Sequence, residues 1–137
     1  MGFQLANVSG RAALANGDSY YDLAEITGTT EHADPMVAIG LGQQLHDVAA
    51  GLGEREPTGK LADATLEAPV PRPQKSFAIG LNYKAHADEG GMEVPDAPLV
   101  FTKFPSCLAG PNANVEMRSD ACDYEGELVV VLSLIHI

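Results

Sequence analysis

Acidic residues at every second position near the C-terminal end are the first candidates for chemistry. Asp123, Glu125 and Glu127 lead into an apolar run, Leu128 to Val131, that is typical of a buried strand. Side chains alternate faces along a strand, so the three carboxylates are predicted to share one face, about 7 Å apart. Two bare charges at that distance repel by about 2 kcal/mol at an effective dielectric of about 20, and Mg²⁺, which prefers oxygen ligands, would relieve the repulsion. A solvated edge strand that uses charge against aggregation explains the same pattern, but the apolar run favours the buried metal site.

A histidine and a glutamate are the second candidates. His86 and Glu89 lie three residues apart on a predicted helix, so they share a face. A carboxylate beside an imidazole orients the ring and raises its basicity, which suits the activation of a water molecule. An ordinary surface contact has the same spacing, and the spacing alone favours that simpler reading. Gly90 and Gly91 would let the next loop move as a lid.

Short strands and one helix must position these side chains. The apolar run from Phe77 to Leu81 predicts a buried strand, and Asn82 is placed to cap a helix over 83–89. The remaining predicted strands of this part are Leu99 to Lys103, Val115 to Met117 and Asp123 to Val131.

The N-terminal part has a different pattern. Rough alternation of apolar and polar residues over 3–26, with turn residues at Ser9-Gly10 and Asn16-Gly17, predicts a meander of strands. An apolar stripe at helical spacing predicts one helix that begins at Pro35, is capped by Asp34 and ends at Gly51.

Prolines at every second position then indicate a stiff connector. Pro69, Pro71 and Pro73 favour an extended chain, which we interpret as the boundary between two domains. The prediction is an α+β protein, with a small α+β N-terminal domain at 1–68 and the start of a second domain at 69–131.

Composition excludes several classes of function. The net charge of −11 argues against nucleic acid and against an anionic membrane surface as partners. Cys107 and Cys122 lack the spacing of a zinc site. Neither a signal peptide nor a membrane-spanning stretch is recognisable, so the cytoplasm is the expected location.

Three blocks in this order and spacing closely resemble the fumarylacetoacetate hydrolase family: residues 80–89, 98–106 and 123–128. The resemblance implies that Glu125 and Glu127 bind a divalent metal, Mg²⁺ or else Mn²⁺ or Ca²⁺. It implies that His86 and Glu89 form a dyad that deprotonates water, and that Lys103 holds a substrate carboxylate or oxyanion. It also implies a catalytic domain folded as a mixed β-roll, in a parent enzyme that is a homodimer.

The reaction implied by the resemblance is hydrolysis of a C–C bond in a β-diketo acid or acylpyruvate, as in the catabolism of aromatic compounds. Related members catalyse decarboxylation, hydration or isomerisation on the same enolate chemistry, and the visible residues leave these alternatives open. A metal-binding segment without chemistry is the non-enzymatic alternative.

The last six residues, 132–137, do not continue the strand that the family pattern predicts. Leu-Ser-Leu-Ile-His-Ile is the direct translation of a DNA sequence that resembles a transposon end used as a sequencing adapter, and we interpret it as a non-native tail. The family pattern also requires an aspartate on a later strand as third metal ligand, which this chain does not include. The chain by itself is therefore expected to be inactive and poorly soluble.

Overall fold

Tight turns join the first three strands into the predicted meander. In the computed structural model, which describes residues 3–132, β1 (Gln4–Val8), β2 (Arg11–Asn16) and β3 (Ser19–Asp22) pair antiparallel in succession. Ser9 and Gly10 both have positive φ, 51° and 82°, as a two-residue hairpin turn requires. The second turn is made by Gly17 and Asp18, because Asn16 is paired with Ser19.

Two short strands complete the N-terminal sheet. β4 (Gly59–Lys60) pairs with β3, and β5 (Leu66–Glu67) pairs with β1, which gives the order β4-β3-β2-β1-β5. Helices cover one face of the sheet, and their contacts bury a core made of Ala12, Leu14, Tyr21, Leu23, Ala38, Leu45 and Leu52. Single 3₁₀ turns connect the elements at Thr30–Ala33, Leu52–Glu54, Leu61–Asp63 and Pro105–Cys107.

The meander ends earlier than predicted. Residues from Leu23 to Ile26, expected in a strand, lie in helix α1 (Leu23–Thr27). Asp22 starts this helix, because its carboxylate accepts a hydrogen bond from the backbone N–H of Glu25 at 3.1 Å. Burial would raise the pKa of Asp22, but hydrogen bonds from Arg11 and from that N–H outweigh it, and the pKa lies below its usual range.

The helix predicted from Pro35 to Gly51 is two helices, α2 (Pro35–Ile39) and α3 (Gln43–Ala50). The predicted start is confirmed: Asp34 accepts a hydrogen bond from the N–H of Met36, and Pro35 is the first helical residue. The break is at Gly42, whose φ of 52° and ψ of −117° are strained for any residue with a side chain. The prediction of one helix was wrong because glycine makes such an interruption inexpensive.

The proline-rich connector has no regular secondary structure and is held by contacts with the start of α2 and with β1. Arg72 forms an ion pair with Asp34 at 2.7 Å, and the side-chain amide of Asn7 donates to the carbonyl of Ala68 at 2.9 Å. Further along, Gly110 packs so closely on β5 that an added Cβ would lie 3.1 Å from the carbonyl oxygen of Leu66. The domain boundary at 68 and 69 stays a prediction.

The second part contains an antiparallel pair of strands with a helix between them. β6 (Phe77–Gly80) and β7 (Leu99–Thr102) form where strands were predicted, and they pair from Phe77 opposite Thr102 to Gly80 opposite Leu99. The prediction that the first of these strands is buried was wrong, because Phe77 and Ile79 are exposed and no element of the described chain covers the pair. Helix α4 (Lys84–Glu89) lies between the strands in sequence. Tyr83, not the predicted Asn82, occupies the N-cap position, and its side chain makes no capping hydrogen bond.

The predicted strands over 115–117 and 123–131 do not form. Residues 108–132 have no regular secondary structure, and almost all of them are exposed. A strand needs a neighbour that takes up its N–H and C=O groups, and no segment within 3–132 pairs with 123–131. Without that pairing, the face shared by Asp123, Glu125 and Glu127 is not established. Residues 133–137, most of the predicted non-native tail, lie outside the described residues.

No helix within residues 3–132 is long and apolar enough to cross a membrane.

Candidate active site

Helix α4, which carries His86, has an unusual backbone conformation before its start and a regular hydrogen-bonded end. Leu81 has a left-handed φ of 52°, which costs a residue with a side chain about 1–2 kcal/mol. At the other end, α4 stops in two paired hydrogen bonds: the N–H of Met92 donates to Ala87, and the N–H of Gly91 donates to Asp88. Gly91 takes the positive φ of 64° that this helix ending needs. The C-terminal end of α4 is therefore closed by its own backbone hydrogen bonds.

His86 is brought to one of the predicted metal ligands. Its Nε2 lies 3.7 Å from Oε1 of Glu125, although the two residues are far apart in sequence. Both side chains are about half exposed or more, 46% for His86 and 63% for Glu125, so a small molecule can reach both. The structure thus joins the histidine of the second candidate pair to a carboxylate of the first candidate group.

Tyr83 makes the second contact between α4 and this acidic segment. The backbone N–H of Leu128 donates to the hydroxyl oxygen of Tyr83 at 3.1 Å. Tyr83 was not among the residues selected from the sequence. The available signal was its spacing, since Tyr83 lies only three residues before His86, at the N-cap position of α4.

Glu89 is not brought to His86. It is the last residue of α4, it is exposed, and within 3–132 no hydrogen bond joins it to the imidazole. The i,i+3 spacing allows the predicted dyad, but in this structure the carboxylate beside His86 is that of Glu125. The dyad of His86 with Glu89 stays a prediction.

Lys103 follows the end of β7 that is away from α4, because Thr102 pairs with Phe77 and not with Gly80. Its ammonium lies 5.3 Å from the ring centre of Phe101, a cation–π distance. Lys103 also lines an open cavity of about 190 Å³ between 73–77 and 102–105. None of the contacts in the described chain joins Lys103 to His86 or Glu125, so its role in holding substrate stays a prediction.

The donor chemistry of the acidic segment fits a hard divalent cation. Glu125 and Glu127 offer exposed carboxylate oxygens, and Mg²⁺ commonly uses only one or two carboxylates and keeps several waters. The described residues bring no three His, Cys, Asp or Glu side chains together as a complete site. Asp123 instead accepts a hydrogen bond from the N–H of Tyr124 at 2.8 Å.

The part of the chain that holds these residues is similar to known proteins. Residues 75–134 match the family described as fumarylacetoacetate (FAA) hydrolase, C-terminal. The fumarylacetoacetate hydrolase domain-containing protein 2 homolog of Dictyostelium discoideum is 45% identical over 74 residues, 53% of this chain and 24% of that protein. Oxaloacetate tautomerase YisK of Bacillus subtilis is 42% identical over 78 residues, 53% of this chain and 26% of that protein.

A mitochondrial relative and a solved structure extend the comparison. The mitochondrial oxaloacetate tautomerase FAHD2A of Bos taurus is 37% identical over 90 residues, 64% of this chain and 29% of that protein. A crystal structure described as an HpcE protein from Mycobacterium smegmatis superposes with a TM-score of 0.63 at 33% identity. It covers 82% of this chain and 40% of that one, which supports the α+β fold class.

The aligned part of the chain spans 24% to 29% of the length of these three curated relatives. All the candidate site residues, from His86 to Glu127, lie inside the matched range 75–134. On these matches, residues 75–134 are similar to the C-terminal part of the fumarylacetoacetate hydrolase family.

Proposed function

We propose that this chain supplies a proton-transfer histidine and two metal-binding glutamates to an enzyme that interconverts the enol and keto forms of a 2-oxo acid. The observation that carries the proposal is the approach of His86 to Glu125, which places a base beside a candidate metal ligand. Two of the relatives described above are named oxaloacetate tautomerases, which favours isomerisation of a 2-oxo dicarboxylate over the hydrolysis implied by the sequence resemblance.

Each candidate residue has a role that follows from its chemistry. Glu125 and Glu127 would hold Mg²⁺, or else Mn²⁺ or Ca²⁺, through carboxylate oxygens. The bound cation would supply a positive charge to the substrate's enol and carboxylate oxygens. Lys103 would bind the second carboxylate of the substrate, and Glu89 would orient His86 from the same face of α4.

The reaction needs one proton to change places. The enol loses a proton from its hydroxyl oxygen and gains one on the other carbon of its C=C bond, next to the carbon that carries the oxygen. No atom is lost and no co-reactant is consumed. His86 suits this task because an imidazole has two ring nitrogens and can both accept and return a proton.

Hydrolysis of a C–C bond in an acylpyruvate is the second candidate. The description of the matching family, a hydrolase, favours it. Hydrolysis requires His86 to activate water rather than to shuttle a substrate proton, and it yields two products where isomerisation yields one. Product analysis therefore separates the two reactions.

The wider architecture is also part of the proposal. We expect the enzyme to complete a mixed β-roll around residues 75–132, to act as a homodimer and to bind neither nucleic acid nor membrane. The cytoplasm stays the predicted location of this chain, although FAHD2A is named as mitochondrial.

The first experiment measures metal binding and turnover separately. Mn²⁺ binding to the 137-residue chain is followed by electron paramagnetic resonance, and decay of enol oxaloacetate is followed by ultraviolet absorbance with the full protein that the gene encodes. We expect Glu125→Gln to weaken Mn²⁺ binding in both, and His86→Asn to lower kcat by about 10²–10⁴-fold while Mn²⁺ binding is kept. Lys103→Met should raise KM for a dicarboxylate by about tenfold or more.

Glu116→Gln is the matched control. Glu116 is 86% exposed and lies in the same irregular segment, where it is paired with Arg118. It should leave Mn²⁺ affinity and turnover unchanged. Cleavage of an acylpyruvate without enol–keto turnover would replace the proposal with the hydrolase, and full activity of His86→Asn would remove the assigned base.

A further inference from the structure

The hydroxyl of Tyr83 has no part in the proton transfer described above, yet it binds the backbone directly after Glu127. We propose that Tyr83 is a positioning residue, which holds the acidic segment 125–128 against the start of α4 and so sets Glu125 and Glu127 for metal binding. The inference rests on the proposed function, because the metal that would be positioned belongs to it.

Two contacts of matching spacing join the start of α4 to the acidic segment. Tyr83 and His86 lie three residues apart at the start of α4, and their partners, Leu128 and Glu125, lie three residues apart in the acidic segment. The segment therefore crosses α4 at two points, with Glu127 directly beside the anchored N–H of Leu128. One of these contacts, His86 to Glu125, is between exposed side chains and is weak on its own.

The lack of regular structure makes the Tyr83 contact important. Residues 108–132 form no helix or strand, so no ladder of backbone hydrogen bonds limits the positions of Glu125 and Glu127. Two carboxylates on a free segment must be ordered when they bind a cation, and that ordering weakens binding. A hydrogen bond to the backbone removes part of this cost before the cation arrives.

The test compares Mn²⁺ binding to the 137-residue chain and to its Tyr83→Phe variant. Tyr83 is 41% exposed, and phenylalanine keeps its ring and removes only the hydroxyl. We expect Mn²⁺ to bind about three- to tenfold more weakly, the range that one hydrogen bond supplies. Amide hydrogen exchange at Leu128 should become faster in the same variant, while thermal melting of the N-terminal core stays unchanged.

Tyr124→Phe is the matched control, because Tyr124 lies in the same segment and is 92% exposed. It should change neither Mn²⁺ affinity nor exchange at Leu128. In the full protein, Tyr83→Phe should raise the Mn²⁺ concentration for half-maximal activity and leave kcat at saturating Mn²⁺ unchanged, a split that general destabilisation would not produce.

The outcomes separate the two proposals. If the unaltered chain binds Mn²⁺ and Tyr83→Phe binds it equally well, the positioning role is wrong and the metal assignment stands. Unchanged exchange at Leu128 would overturn the positioning role in the same way. If the unaltered chain and the full protein both fail to bind Mn²⁺, the metal assignment fails and the positioning role fails with it.

Discussion

Asp22 combines three interactions at the scale of one residue. Its carboxylate pairs with Arg11 at 2.5 Å and accepts the N–H of Glu25 at the start of α1, while its own N–H donates to the hydroxyl of Thr58 at 2.9 Å. The Asp22 side chain is only 7% exposed, and that of Arg11 is 50% exposed. A buried carboxylate held in this way should matter more for stability than a surface ion pair does.

We expect Asp22→Asn to lower the free energy of unfolding by about 1–3 kcal/mol at pH 7. Asparagine still caps a helix, so the loss isolates the charge. The pKa of Asp22 is depressed in the fold, so its contribution is complete above the unfolded pKa of about 4 and is lost as pH falls through the lower folded value. Urea unfolding from pH 7 to pH 2 measures both effects.

Asp18→Asn is the control, since Asp18 is exposed and lies in the turn after β2. It should keep the acid dependence of the unaltered chain, whereas Asp22→Asn should flatten it. Equal acid dependence in Asp22→Asn and the unaltered chain would mean that other carboxylates set the acid stability.

Residue type made part of the candidate site predictable. His86, Glu125 and Glu127 stand out because few side chains bind a proton or a divalent cation near neutral pH. The sequence spacing could not predict which carboxylate contacts the imidazole of His86, because the position of Glu125 depends on the course of an irregular segment. The Tyr83 contact was missed because a tyrosine at a helix start has many ordinary roles.

At the scale of the element, Gly42 decides that α2 and α3 are separate helices. We expect Gly42→Ala to lower the free energy of unfolding by about 1–3 kcal/mol, because the substituted residue must either adopt a strained backbone or shift α3 away from the core. Chemical unfolding followed by circular dichroism measures the loss.

Gly53→Ala provides the comparison. Its φ is not positive, and an added Cβ would meet nothing within 4 Å, so we expect a change of about 0.5 kcal/mol or less. Similar losses in the two variants would show that the backbone at Gly42 adapts without strain and that the break has another cause.

Elements were predictable where local and long-range signals agree. β1 and β2 follow from alternation and a two-residue turn, and β6 and β7 from short apolar runs. α1 was missed because its five residues are too few for a helical period to emerge from the strand pattern. The strand predicted over 123–131 fits its sequence pattern, but its formation depends on a pairing partner.

At the scale of the whole molecule, burial is uneven along the chain. Apart from Ala87, every buried apolar residue of the described chain lies between Val8 and Leu52. Leu128 to Leu132, by contrast, are 50% to 81% exposed. A continuous apolar stretch in contact with water favours association.

We expect the chain to self-associate as its concentration rises, and Val129→Glu with Val131→Glu to keep it monomeric, because the double variant removes apolar surface and adds charge. Sedimentation velocity over a concentration series measures the difference. Asn112→Glu with Asn114→Glu adds the same charge at exposed positions and should leave association largely unchanged. Equal association of both double variants would point to net charge rather than to the apolar stretch.

The ion pair between Asp34 and Arg72 has a consequence for local opening. The same carboxylate caps α2 and holds the connector, and the hydrogen bond from Met36, followed by the contact with Arg72, keeps the pKa of Asp34 below its usual range. The Asp34 carboxylate therefore takes part in two local equilibria, fraying of the start of α2 and release of the connector. By thermodynamic linkage, each of these openings changes the free energy of the other. A change that frays the start of α2 also weakens the attachment of the connector, and a force that pulls the connector away also destabilises the first turn of α2.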